Sequence, residues 1–279
     1  MPAWTDLGSG IRVRQSRAFA MNSVLLADRE HAVLVDPGVL PAELDDLAAA
    51  VRGSGAREVA LLFTHAHWDH VVGRAWWPGA RTLGHHRLAA ELLRDADAIR
   101  RAAAACAAGC GASWTRGFEP FAPDVPLAGG DAATLGPWRL EFHEAPGHCD
   151  SQLATLLPGH RVLIAADMLS DLEIPWLDRP PAVYRATLEK LRPLVEAGAA
   201  ATLVPGHGAI ARGDEVRARL ACDLAYLDAL EQGVRDARAA RLGPDQAQAR
   251  LAAMDYTGKG AAMDEVHRAN VRLAWEAAG

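Results

Sequence analysis

The sequence predicts a mixed α/β fold with a sheet-on-sheet core, helices outside it and a helical C-terminal extension. Three observations carry that expectation. Short apolar runs bounded by turn residues fall into two groups, each group is followed by helical patterning, and the chain beyond Gly213 is helical in character. Two groups of strands bury their apolar faces by packing on each other, and helices cover the remaining faces. With 279 residues, 50% of them hydrophobic and 23% charged, the chain has the composition of an ordinary globular protein and the length for a sizeable core.

Taken in order, residues 11–13, 23–26 and 32–35 are apolar runs, and the third ends in Asp36-Pro37-Gly38, a strand-to-turn pattern. Pro41 opens a helical stretch to about Arg52. After Gly53-Ser54-Gly55, residues 59–63 form an apolar run of buried-strand type that stops at Thr64. Residues 87–108 are alanine-rich and helical, and Gly109, Gly111 and the prolines between 120 and 126 mark an irregular connection. The second group comprises strands at 138–144, 152–157 and 162–166, a helix at 182–197 and a short strand at 201–204. Breaks at Gly243-Pro244 and at 258–260 divide the C-terminal helices. Residues 1–212 are expected to form the main domain, with 213–279 as a helical extension packed on it.

The formal charge of -6 offers no attraction to a phosphate backbone or an anionic lipid surface, so no nucleic-acid or membrane partner is expected. The N-terminus lacks a basic segment followed by an apolar stretch, and no window is apolar enough to span a bilayer, so a cytoplasmic location is expected. Cys106, Cys110, Cys149 and Cys222 have no zinc-ribbon spacing, which fits a reducing compartment. Cys106 and Cys110, one helical turn apart, read as small core residues.

The chemistry concentrates in Thr64-His65-Ala66-His67-Trp68-Asp69-His70, directly after the apolar run at 59–63. In extended chain, residues two apart point the same way, so His65 and His67 can grip one cation. Asp69 and His70 fall where the chain turns toward a helix and can face a second. Imidazole and carboxylate are the usual ligands of zinc and related divalent metals. With 11 histidines in the chain, chance places this pattern in roughly one such sequence in a thousand. Further donors stand at the ends of apolar runs: His148 in Pro146-Gly147-His148, Asp167 after 162–166, and His207 in Pro205-Gly206-His207-Gly208.

These segments, in order and spacing from about Asn22 to Gly208, resemble the successive motifs of the metallo-β-lactamase superfamily. The resemblance implies a four-layer αββα sandwich, with metals at one edge of the two sheets. It implies that His65, His67 and His148 bind a first metal, that Asp69, His70 and His207 bind a second, and that Asp167 bridges them. Asp36 matches the first motif of the family and would hold a ligand by hydrogen bonding. The implied activity is that of a dinuclear hydrolase. In such an enzyme a metal-bridging hydroxide would attack a small ester, thioester, lactone or amide, and Asp69 is expected to orient it or shuttle a proton. Two divalent ions are expected, zinc by default and iron or manganese also compatible with the donors.

Departures from the family's better-known members narrow the substrate. Asp167 stands where one large group of true β-lactamases has cysteine. Residues 168–176 lack the Cys-Gly-Arg stretch of glyoxalase II and the persulfide dioxygenases, and His67 stands where flavodiiron reductases usually carry Glu. A mononuclear non-haem iron dioxygenase for a persulfide-type substrate, using His65, His148 and Asp167, is the alternative enzyme, and a non-catalytic metal scaffold is the third reading. Trp68 and Trp176 are candidate walls of a pocket for a small molecule. His85 and His86 are expected to be structural or solvated, and the C-terminal helices, including 263–275, to cover the site or form a homodimer face.

Overall fold

The structure is a computed structural model describing residues 4–260 and 263–279. It is mixed α/β, with two sheets and seven α-helices among the described residues. The chain divides into two compact units, Met1–Glu144 with Ser151–His160, and Ala145–Asp150 with Arg161–Gly279.

The first unit opens with an antiparallel meander of β1 (Trp4–Gly8), β2 (Ile11–Gln15), β3 (Asn22–Ala27) and β4 (His31–Val35). The pairing then becomes parallel through β5 (Glu58–Phe63), β6 (Arg81–His85) and β7 (Val125–Leu127), giving seven strands side by side in chain order. Parallel neighbours need crossovers. These are α1 (Pro41–Ser54), the short α2 (Trp68–Val71) with a 3-10 turn (Val72–Trp76), and α3 (Leu88–Gly109). Proline in the first turn and Gly55 in the left-handed conformation (φ 82°) fix the two ends of α1. Strands β4 and β5 read as unbroken apolar runs because both faces are covered; Leu34, Leu61 and Phe63 are fully buried with Leu44, Leu47, Leu88 and Leu92 of the helices.

Three more strands in this unit, β8 (Ala132–Leu135), β9 (Trp138–Glu144) and β10 (Leu153–Leu157), form an antiparallel ladder. Here β9 alternates. Trp138, Leu140 and Phe142 are buried, whereas Arg139 is exposed and Glu141 half-buried, so one face turns to the core. Trp138 Nε1 donates to Ser9 O at 3.2 Å, tying this ladder to the β1–β2 turn.

In the second unit, β11 (Val162–Ala166) and β12 (Thr202–Pro205) are parallel, joined by α4 (Pro181–Glu196), and β13 (Ala211–Arg212) adds an antiparallel edge. Beyond it, α5 (Asp214–Ala239), α6 (Pro244–Leu251) and α7 (Met263–Ala277) pack on one another, and α4 packs on α5 and α7. The expected helix breaks occur where glycine and proline place them. Four short strands, β1, β7, β8 and β13, and the buried β6 were not expected from the sequence.

Candidate metal centre

Strand β5 delivers its last apolar side chain at Phe63, and a connection with bends at Thr64 and Ala66 leads to His67, the extended residue before α2 (φ -68°, ψ 149°). His65 and His67 thus flank a bend at Ala66 rather than lying in continuous extended chain, and Asp69 and His70 stand in the first helical turn. The His65 ring lies 4.7 Å from that of His67 and 4.1 Å from that of His70, centroid to centroid. Asp69 Oδ2 is 3.8 Å from His70 Nε2. His65, Asp69 and His70 are buried.

Asp36, at the end of β4, orients this cluster. Its Oδ1 accepts the Thr64 backbone N–H at 2.8 Å, and its Oδ2 accepts the Thr64 hydroxyl at 2.6 Å and His70 Nδ1–H at 2.8 Å. A buried carboxylate is tolerated only when so paired. The proton of Thr64 is committed to Asp36, so its oxygen accepts His65 Nδ1–H across 3.0 Å. Both rings are thus held in the tautomer whose Nε2 carries a lone pair, the form that ligates a metal. Asp36 itself has a positive φ of 47°. Its N–H donates to Leu62 O and its carbonyl accepts the Ser23 hydroxyl, holding that costly conformation in place.

In the second unit the remaining predicted residues gather around one carboxylate oxygen. Asp167 Oδ2 lies 3.3 Å from His148 Nε2 and 3.6 Å from His207 Nε2. Nδ1–H of His148 donates to the Trp176 carbonyl at 3.2 Å, so its Nε2 also faces the carboxylate as a lone pair. Strand β11 breaks register beyond Ile164, and Ala166 and Leu169 adopt positive φ values of 52° and 60°, which turns Asp167 out of the ladder. Gly206 lets the backbone before His207 approach, because a Cβ there would stand 2.0 Å from Asp167 Oδ1. Beneath this turn, Asp223 accepts the Leu169 N–H at 3.0 Å, and burial pushes its carboxyl up to about 7.

The donor set fits divalent metals: the imidazoles of His65, His70 and His148 with their protons placed on the far side, and the carboxylates of Asp69 and Asp167 beside His70 and His148. Four of the seven predicted ligands fall in the first unit and three in the second. Glu173 is a donor that the motifs did not indicate, grouped with Asp167 and His207 within 4.8 Å. Thr64 was also missed as a positioning group, although a threonine between a buried strand and a histidine was there to be read.

A further cluster, His85, His86 and Glu144, explains itself without a metal. His85 Nδ1 accepts the Arg87 N–H at 3.2 Å, so its Nε2 carries the proton and points it at Glu144 Oε1, 3.3 Å away. Burial lowers the His85 pKa, keeping the ring neutral. Cys106 on α3 and Cys110 at its C-cap are half-buried beside Met21 and Leu40, and burial, with Cys110 and Asp69 nearby, pushes the Cys106 thiol up to about 11.

Residues 17–207 match the family model described as Metallo-beta-lactamase superfamily. The chain belongs to that superfamily. It is similar to the acyl-coenzyme A thioesterase MBLAC2 of Gallus gallus, at 28% identity over 234 residues, 74% of this chain and 80% of that one. It is also similar to the hydroxyacylglutathione hydrolase of Anaeromyxobacter dehalogenans, at 32% identity over 52% of this chain and 44% of the relative. Among solved structures, a metallo-beta-lactamase family protein from Thermus thermophilus superposes with a TM-score of 0.67 at 22% identity, covering 96% of this chain and 94% of that one. The sec-alkylsulfatase Pisa1 from Pseudomonas sp. gives 0.69 at 16% identity, over 99% of this chain and half of its own. These likenesses show the metallo-β-lactamase fold. That fold, with histidine and aspartate clusters in it, implies use of divalent metal.

Two aromatic side chains flank the clusters. Trp68 is half-buried and meets exposed Phe19 edge to face at 6.0 Å, and Phe19 stands on a loop with two successive positive φ residues, Phe19 and Ala20. Trp176 is 48% exposed, with its ring edge-on to His148 at 6.1 Å. No helix among the described residues is long and apolar enough to cross a membrane.

Proposed function

We propose that this protein is a dinuclear metal-dependent hydrolase of small acyl thioesters. His65, His67 and His148 would hold one ion, Asp69, His70 and His207 the other, and Asp167 would serve both. Residues 1–212 carry the catalysis and 213–279 form an extension packed on them. Bound there, two divalent cations, zinc in the first instance, supply a hydroxide from water near neutral pH and polarise the carbonyl under attack. The side chains do the rest. Asp36 and Thr64 keep the ligand tautomers fixed, and Asp69 orients the attacking water and takes its proton toward the leaving thiol. Trp68 and Trp176 are the candidate substrate-contacting aromatics.

The observation that supports a bridge best is the placing of one oxygen, Asp167 Oδ2, between the Nε2 atoms of His148 and His207. A bridging carboxylate must meet a proposed ligand of each ion, and this oxygen lies beside one from each set. Support for an acyl group on a thiol carrier comes from the relatives, which are named for acyl-coenzyme A and hydroxyacylglutathione. A negatively charged chain that offers no general attraction to polyanions agrees with a small-molecule substrate.

The test is a hydrolase screen with zinc-loaded protein across acyl thioesters, lactones, β-lactams and phosphodiesters. Thioester turnover that disappears on chelation and returns with metal is the expected result. Turnover confined to another class, or unaffected by chelation, contradicts the proposal.

A further inference from the structure

We propose that Asn270, on the C-terminal helix α7, is a positioning residue for the metal ligand His148, acting through the backbone on either side of Trp176. This inference rests on His148 being a ligand, as in the function proposed above. Asn270 is fully buried. Its Oδ1 accepts the Leu177 N–H at 3.1 Å, and its Nδ2 donates to the Pro175 carbonyl at 2.6 Å and to the Tyr226 hydroxyl at 2.9 Å. One amide thus grips the residues before and after Trp176. The Trp176 carbonyl between them accepts Nδ1–H of His148 at 3.2 Å.

The chain of bonds continues outward with every proton accounted for. Tyr226, its oxygen accepting from Asn270, donates its proton to His267 Nδ1 at 3.0 Å, which leaves His267 Nε2–H to donate to the Leu251 carbonyl at 3.0 Å. Each side chain has one arrangement of donors and acceptors, so the series from α6 to His148 has a single direction. Burial lowers the His267 pKa and keeps that ring in the neutral form the series needs.

Packing alone does not account for an asparagine here. The buried face of α7 is otherwise apolar apart from His267, with Met263, Val266, Val271 and Ala274. Leucine would fill that space but would leave the Pro175 carbonyl and Leu177 N–H without a partner in a buried place. The amide is the one side chain that satisfies a carbonyl and an N–H two residues apart while also contacting Tyr226. It fixes the height and tilt of the Trp176 carbonyl, and that carbonyl fixes the tautomer and rotation of the His148 ring. Through this series α7 acts on His148 by way of the backbone that the ring contacts.

The experiment measures zinc affinity by competition with a chromophoric chelator, and zinc stoichiometry, in the full chain. The variants are Asn270→Ala, Asn270→Asp, His148→Ala and the double variant Asn270→Ala/His148→Ala; metal-free thermal stability is recorded for each. Asn270→Ala is expected to weaken one of two ions by roughly 10- to 100-fold, the range for loss of a group that orients a ligand. Asn270→Asp, similar in shape but unable to donate to the Pro175 carbonyl, is expected to do the same, and it carries the test if the alanine variant does not fold. His148→Ala should lose the same ion, and in that background Asn270→Ala should cost no further affinity. Cobalt-substituted Asn270 variants should show an altered visible absorption band. Unaltered zinc affinity in a folded Asn270 variant, with only thermal stability lowered, overturns the positioning role and leaves His148 as a ligand. Unaltered zinc binding in His148→Ala removes His148 from the centre, and the role of Asn270 with it.

Discussion

The side chains that bring chemistry to this protein are held by side chains that do none. Asp36 accepts three hydrogen bonds, and two of them, from Thr64 and His70, set which nitrogen each neighbouring imidazole turns to the centre. Replacing it with asparagine puts an NH2 group against groups that also donate. Asp36→Asn should lower metal affinity by roughly 10- to 100-fold while the fold persists, as measured by zinc titration alongside circular dichroism. Equal affinity in the two proteins would show that the ligands orient themselves. At this scale the sequence was legible where residues stand close in the chain: the spacing of His65, His67, Asp69 and His70 follows from a strand running into a helix. It was silent about partners far apart, such as Asn270 and Pro175, because no local pattern records a contact across 95 positions.

Elements were legible in proportion to their apolar periodicity. The runs at 32–35 and 59–63 became β4 and β5, and the alanine-rich stretch became α3. Strand β6 escaped because Arg81-Thr82-Leu83-Gly84-His85 contains one large aliphatic residue; its burial comes from neighbours on both sides rather than from its own composition. The close approach of elements was equally hidden. A Cβ on Gly73 would stand 1.6 Å from the Pro37 carbonyl oxygen and 2.9 Å from the Leu44 side chain, so the 3-10 turn after the motif packs directly on the turn that carries Asp36. Gly73→Ala should therefore push the motif helix off its seat and destabilise the protein by about 1–3 kcal/mol or more. Denaturant unfolding reads the loss, and weaker metal binding should accompany it; a neutral effect would mean that the contact is loose.

For the whole molecule, buried neutral histidines give stability a direction in pH. His267 and His85 both have pKa values lowered chiefly by burial from the ordinary 6.5. A depressed histidine pKa means the unfolded chain binds the proton first. Their contribution is complete above 6.5 and is lost as the pH falls from there toward the folded values. Urea midpoints should decline between about pH 7.5 and pH 5.5, and the decline should be shallower in His267→Gln. A parallel decline in the variant would take His267 out of the account. Metal adds to stability by binding only the folded state, so chelation should lower the midpoint at every pH.

The claim on which the account turns is that two ions share Asp167, and the most direct measurement is metal per chain in wild type and Asp167→Asn over a zinc titration. Wild type should saturate near two ions. The variant, lacking the charge that offsets repulsion between the cations, should hold the second weakly, with hydrolysis falling in step and partly restored by excess zinc. A wild type that saturates at one ion, or a variant that binds two as tightly as wild type does, would contradict it.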